Sequence, residues 1–262
     1  MMRSLYTAAS GMQAQQRNID TVANNLANVN TTGFKKSKVH FQDLLYQNEK
    51  SAGVPSSLST QVPVGLHVGH GVKYVSTEKM HSQGGMENTE RELDIGIDGP
   101  GYFQILQTSG IVAYSRDGHF NLDGQGRLVT SDGFLVDPEI NIPVETRKVE
   151  MGFDGTISVY MRDETLPEAI GSLTLARFRN PSGMTPISKN LYIPTAASGN
   201  PLIDAPGSNG MGALNQGFLE LSNVSLVEEM VDMITAQRAY EVNSKAIQAS
   251  DEMLQTANNL TR

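Results

Sequence analysis

Helix breakers are spread so unevenly along this chain that they divide it before any other feature is considered. All 11 prolines and 24 of the 25 glycines lie between Gly33 and Gly217. Proline removes a backbone donor and glycine costs entropy inside a helix, so both ends are free to be long helices and the middle is not. The expected fold class is α+β: long N- and C-terminal helices forming a coiled-coil-like pair, an extended connecting region, and a central all-β antiparallel domain.

The ends carry the matching periodicity. Leu5, Met12, Ile19 and Leu26 recur every seven residues, with Ala8, Gln15, Val22 and Val29 three positions after each. Alternating steps of three and four make a coiled-coil seam. Asn30-Thr31-Thr32-Gly33 supplies the stop, because glycine adopts the left-handed C′ conformation cheaply. At the other end Ser225-Leu226-Val227-Glu228 reads as a capping box. Behind it Leu226, Met233, Tyr240, Ile247 and Leu254 recur every seven residues, and Ala236, Asn243, Ser250 and Ala257 are small or polar positions three residues on from the last four. At 1.5 Å per residue the two helices come to roughly 40 Å and roughly 55 Å, long for packing within one compact domain.

The first helix is also nearly free of charge. From Ser4 to Thr32 only Arg17 and Asp20 are charged, and the face away from the seam carries Gln13, Gln16, Asn18, Thr21, Asn24, Asn25, Asn28 and Asn30. Neutral amides enter a protein contact at lower desolvation cost than charges do, provided their hydrogen bonds are met. The back of this helix is therefore prepared for burial as well as its seam. Amides at seam positions, Gln15 and Asn243, suit a device that fixes one register. Arg17 and Asp20, three apart, are a candidate ion pair, either with each other or with groups on another subunit. The tetrapeptide at Ala23–Leu26, ANNL, returns at Ala257–Leu260 in a different phase of the heptad, so the two copies are not one duplicated motif.

The middle reads as β. Runs at 101–106, 111–115, 126–130, 156–160 and 172–178 alternate or cluster apolar residues between turn signals. The Asp-Gly pairs 98–99, 117–118, 123–124, 132–133 and 154–155 are of the type that closes tight hairpins. A compact meander or small barrel is expected. The Ser/Pro/Gly/Val-rich stretch 48–65 should be an extended connection, with 198–212 its counterpart on the return path. The resulting division is a terminal helical domain (1–32 and 222–262), an extended connecting domain (33–75 and 205–221) containing the long loop 48–65, and a β-rich domain (76–204).

Composition excludes several classes. A net charge of −8 and no basic cluster beyond Lys35, Lys36 and Lys38 argue against nucleic acid. No apolar run reaches the ~18 to 20 residues of a spanning helix, and the start lacks an apolar signal core. With no cysteine there is no disulfide, thiol nucleophile or thiolate metal site. His67 and His70 have a spacing seen in metal sites but lack acidic or thiolate company, and Gly69-His70-Gly71 and Gly210-Met211-Gly212 do not complete a phosphate loop. No acidic pattern marks a calcium loop and no nucleophile elbow or triad context is present. Catalytic, cofactor and metal sites are accordingly expected to be none.

The same residues carry a family resemblance. SLYTAASGMQAQQRNIDTVANNLANVNTTGFKKSKVHFQDLLYQ (4–47) resembles the N-terminal signature of bacterial flagellar rod and hook proteins, with ANNLANVNTTGFK its most specific part, and NVSLVEEMVDMITAQRAYEVNSKAIQASDEML (223–254) is similar to the family's C-terminal helix. Matches continue through TEKMHSQGG, LDIGIDGPGYFQI and AYSRDGHFNLDGQGRLVTSDGFLV. Length and the FQDLLYQ continuation most resemble the distal-rod branch. The resemblance implies a non-enzymatic subunit of a hollow helical tube that transmits torque and encloses the export channel, its terminal helices forming the inner wall. It implies export by the flagellar type III export apparatus without a cleaved signal, to a basal-body rod crossing the periplasm. The implied partners are further copies of the chain, proximal rod proteins, the hook protein, and the P-ring and L-ring proteins. A proximal rod or hook-type role, a small closed coiled-coil oligomer acting as a binding module, and an enzyme built on the β body are the competing readings. In the tube reading the seam residues pack partly within and partly between subunits, and both ends of a free monomer lack neighbours and are disordered.

Overall fold

In the computed structural model, residues 2–53, 55–57, 60–61, 63–162 and 166–260 are described. Val54, Leu58, Ser59 and Val62 of the connection at 48–65 lie outside them. Two long helices bracket a β-rich middle: α1, Met2–Ala27, has 26 residues and α2, Leu226–Leu260, has 35. The expected start of α2 directly after Ser225 holds, with Glu228 and Glu229 in its first turn. Helix α1 ends earlier than its polar stop sequence, and the chain turns from Asn28 until Gly33, whose φ is +66°. A Cβ there would lie 2.7 Å from the amide nitrogen of Asp117, so this position needs glycine for both conformation and space.

The chain divides into two compact units. The first, here the helical unit, comprises Met1–Leu26, Ser37–Glu78 and Ser225–Arg262; the second, the β body, comprises Ala27–Lys36 and Lys79–Val224.

The β body contains all five runs expected as strands, at Tyr102–Leu106, Val112–Ser115, Leu128–Thr130, Thr156–Met161 and Leu175–Arg177. Its largest sheet has nine strands and branches rather than forming a plain meander. Tyr102–Leu106 takes Val112–Ser115 along one edge and shares the other between Leu135–Asp137 and Leu175–Arg177. Its first four residues are buried, and Phe103 and Ile105 sit at the centre of the core with Ile95, Phe120, Ile157 and Leu173. Of the Asp-Gly pairs, 123–124, 132–133 and 154–155 lie in hairpin turns, with glycine φ of +82° at Gly133 and Gly155. Gly118 and Gly124 are not in the left-handed region; at 118 glycine is required because a Cβ would strike the carbonyl of Ile95. Residues 205–221, expected in the connecting region, pair with the body instead: Ala213–Gln216 runs against Ile95–Asp98, and Met211 and Leu214 enter the core.

The helical unit is built differently. Ser37–Asp43 pairs with Val72–Lys79, and the connection between them folds back on itself, Tyr46–Lys50 against Leu66–Gly69 and Pro55–Ser57 against Thr60–Gln61. The described strand residues within 48–65 are thus paired back on one another or on Leu66–Gly69. Among the described residues of this unit, the fully buried hydrophobic side chains are Ala8, Ala14, Val22, Val39 and Ala236. Three alanines and two valines are too little apolar volume to offset the entropy of ordering two long helices.

Candidate self-assembly interface

Helices α1 and α2 pack antiparallel in one register. Ser4 Oγ lies 3.4 Å from Ser250 Oγ, a Cβ on Gly11 would stand 2.9 Å from Asn243 Nδ2, and Asn25 Nδ2 donates to Glu229 Oε2 at 3.0 Å. Each step of seven along α1 is met by a step of seven backward along α2. The contact line within the chain is therefore Ser4, Gly11 and Asn25 against Ser250, Asn243 and Glu229, with Asn18 and the buried Ala236 midway in that register. Small side chains let two backbones approach closely. This line is displaced by one residue from the large apolar heptad.

The large residues flank it. Leu5, Met12, Gln15, Ile19, Leu26, Asn28 and Val29 are half-buried and Val22 is buried. On α2, Met233, Asn243, Ile247 and Leu254 are half-buried, while Leu226 and Tyr240 are exposed. Of the two amides named for register, Gln15 lies beside the contact line, whereas Asn243 is on it, facing Gly11. Leu260, in the second ANNL, closes α2.

The two asparagines of the first ANNL separate. Asn25 is buried and fully used: it donates to the carbonyl of Ser37 at 2.9 Å, accepts from the amide of Ser37 at 2.9 Å, and donates to Glu229. Asn24 is exposed and lines a shallow cleft with Arg17, Asp20, Thr21, Ser37, Val39, Tyr74 and Thr77. Arg17 and Asp20 share that cleft without pairing. Asp20 accepts from Gln16 one helical turn away, and the Arg17 guanidinium lies 5.6 Å from the ring centre of Tyr74. A ring face competes for the guanidinium as well as an exposed carboxylate does.

Beyond this, α2 exposes a second apolar stripe, Val227, Met230, Val231 and Ile234, at helical spacing. The heptad reading missed it because these residues fall between seam positions. Tyr6, Phe41, Leu45, Tyr46, Leu66 and Tyr74 of the same unit are exposed too. A unit that buries alanine and valine while exposing tyrosine, phenylalanine, leucine and methionine presents its larger apolar side chains to something outside itself.

In the β body, a buried ionic cluster went unseen in the sequence, where Lys35 is merely part of a short basic run. Lys35 Nζ donates to Glu220 Oε1 at 2.5 Å and to the carbonyl of Ser82 at 2.7 Å, and Arg116 donates to Glu220 Oε2 at 3.1 Å. Glu220 Oε1 also accepts from the amide of Gly84. Burial pulls the Lys35 ammonium below its usual range, partly offset by Glu220. Burial likewise raises the Tyr102 and Tyr192 phenols, Tyr192 to about 12, with the Glu220 charge adding to both. Neither His67 nor His70 joins a ligand set; among the described residues no group of three His, Cys, Asp or Glu is arranged to hold a metal.

Three family models match the chain: residues 5–35 match "Flagella basal body rod protein", 96–159 match "Flagellar hook protein FlgE/F/G D1 domain", and 215–260 match "Flagellar basal body rod FlgEFG protein C-terminal". The first and last cover most of α1 and the whole of α2, and the middle one covers strands of the β body that include Tyr102–Leu106 and Val112–Ser115. Full-length relatives include the flagellar basal-body rod protein FlgG of Borreliella burgdorferi, 50% identical with both chains covered completely. That of Caulobacter vibrioides is 45% identical over 99% of each chain, and that of Bacillus subtilis 40% identical over the whole of both. With helices, β body and full length all matched, the chain belongs to the flagellar basal-body rod protein family, in its FlgG branch.

Proposed function

We propose that the chain is the structural subunit of the distal rod of the bacterial flagellum, self-assembling into a hollow helical tube that transmits motor torque to the hook and encloses the export channel. The carrying observation is the mismatch in the helical unit, whose buried apolar set is Ala8, Ala14, Val22, Val39 and Ala236 while Val227, Met230, Val231 and Ile234 face outward. Neighbouring copies complete that core. Leu5, Met12, Ile19, Leu26, Met233, Tyr240, Ile247 and Leu254, left beside the internal contact line, pack between subunits, each burial contributing roughly 1.5 to 3 kcal/mol. The helices 2–27 and 226–260 form the wall of the tube, the segment 37–78 braces adjacent subunits, and the β body carries the remaining contacts.

The hairpin at 46–69 limits sliding between subunits and keeps the rod straight; equally stiff, straight rods after its deletion would remove that role. Proximal rod proteins, the hook protein, and the P-ring and L-ring proteins are the proposed neighbours, and the flagellar type III export apparatus delivers the chain across the inner membrane to the periplasmic rod. The role is mechanical and not enzymatic. Electron microscopy of the purified full-length protein tests it: hollow filaments with helices lining the bore are expected, and a small closed oligomer at every concentration contradicts it.

A further inference from the structure

The β body contains a cleft of about 520 Å³ whose lining includes Arg116, Arg177, Arg179, His81, Tyr102 and Phe178. In a chain of net charge −8, three arginines converge here, and among the described residues none of the lining side chains is a carboxylate. The one carboxylate bound to these arginines, Glu220, is fully buried and already holds Lys35. Arg116 is itself almost entirely buried, yet its Nε has no hydrogen-bond partner. Its guanidinium lies 5.2 Å from the ring centre of Tyr102, and Phe178 packs edge-on to the same ring. Arg177 gives one donor to the carbonyl of Gly210, and Arg179 is exposed. Aromatic walls of low dielectric around convergent guanidinium groups focus positive potential into the cleft.

We propose that this cleft receives a carboxylate-bearing segment of a second copy of the chain. The inference rests on the rod-subunit reading, which supplies the second copy at high local concentration. A surface that is acidic overall with one basic cleft is complementary to itself in a head-to-tail manner, and a head-to-tail contact that does not close on itself propagates a helix. Guanidinium forks suit carboxylates in two-pronged geometry. The contact adds direction and register to the apolar packing of the helices.

The test uses the full-length protein. A photo-crosslinking residue placed at position 179 in otherwise unaltered filaments should join to an Asp- or Glu-containing peptide of another copy, identified by mass spectrometry with isotopically mixed subunits. The pair Arg177→Glu with Arg179→Glu should raise the protein concentration needed for assembly at least about tenfold, the scale of losing one charge-paired contact. Arg177→Lys with Arg179→Lys should stay close to the parent. Crosslinks confined to one chain or to a different protein, or charge-reversed protein that assembles at the parent concentration, overturn the proposal. Parent protein that forms no filaments at all brings down the rod reading as well, which separates the two failures.

Discussion

Lys35 and Glu220 meet at 2.5 Å with both side chains wholly out of water. They stand 185 positions apart, one just after α1 and the other just before α2, and Arg116 and the amide of Gly84 complete the shell. A buried ion pair is weak evidence of net stabilisation, but removing one member leaves uncompensated charge. Glu220→Gln should therefore lower the stability of the β body by about 3–5 kcal/mol, read from urea unfolding of the full-length protein. A loss below about 1 kcal/mol contradicts this description of the cluster.

Alkaline pH should unfold the same region. The phenols of Tyr102 and Tyr192 are raised in the folded state, chiefly by burial. Their contribution is complete below pH 10 and is lost as pH rises through the folded values, about 12 for Tyr192. For Tyr192 the loss at full development is about 3 kcal/mol. Lys35 acts in the opposite sense, since its lowered value makes folding easier above that value. The lysine effect is complete at its ordinary value near 10.5, so above that the tyrosines act alone and stability should fall between about pH 10.5 and 12. Unfolding midpoints that stay level or rise over that range speak against it.

Adjacent asparagines should respond oppositely. Asn25→Ala removes the side-chain partner of the backbone N–H and C=O of Ser37 and one hydrogen bond to Glu229, and should destabilise the α1–α2 contact of the assembled filament by about 1–3 kcal/mol. Asn24→Ala removes an exposed amide and should cost the α1–α2 contact less than Asn25→Ala does, its main effect being weaker assembly. Thermal melting of assembled filaments followed by circular dichroism reads the first effect, and sedimentation the second. Equal behaviour of the two variants contradicts the division of roles.

Gly11 sets the spacing of the helices. A Cβ would approach Asn243 Nδ2 to 2.9 Å, and the amide must swing aside. Gly11→Ala should cost about 1 kcal/mol net of its helix-propensity gain, and Asn243→Ala in the same chain should recover it. Additive effects in that double-mutant cycle deny the contact.

Much of this architecture was legible in the sequence because local chemistry dictated it. The confinement of proline and glycine to 33–217 marks the helices, and the Asp-Gly pairs at 132–133 and 154–155 mark hairpins, since each signal acts within a few residues. The contact line Ser4, Gly11 and Asn25 was not legible. A heptad read by apolar size selects Leu5, Met12 and Ile19, whereas close approach of two helices selects the small residues beside them. The Lys35–Glu220–Arg116 cluster was hidden for a different reason: it depends on long-range topology, and a lysine in a basic run gives no sign that the fold will enclose it. The charges on α1 were visible, but Tyr74, which takes Arg17, enters only when Val72–Lys79 is laid alongside.

The central claim is that the helical unit of one subunit is an incomplete core that neighbouring subunits complete. Amide hydrogen exchange on verified monomer and on assembled filament tests it most directly. The account predicts rapid exchange at residues 5–29 and 226–254 in the monomer, strong protection of both in the filament, and slow exchange of core strands such as Tyr102–Leu106 in either state. Strong protection of residues 5–29 in the monomer, unchanged on assembly, contradicts it.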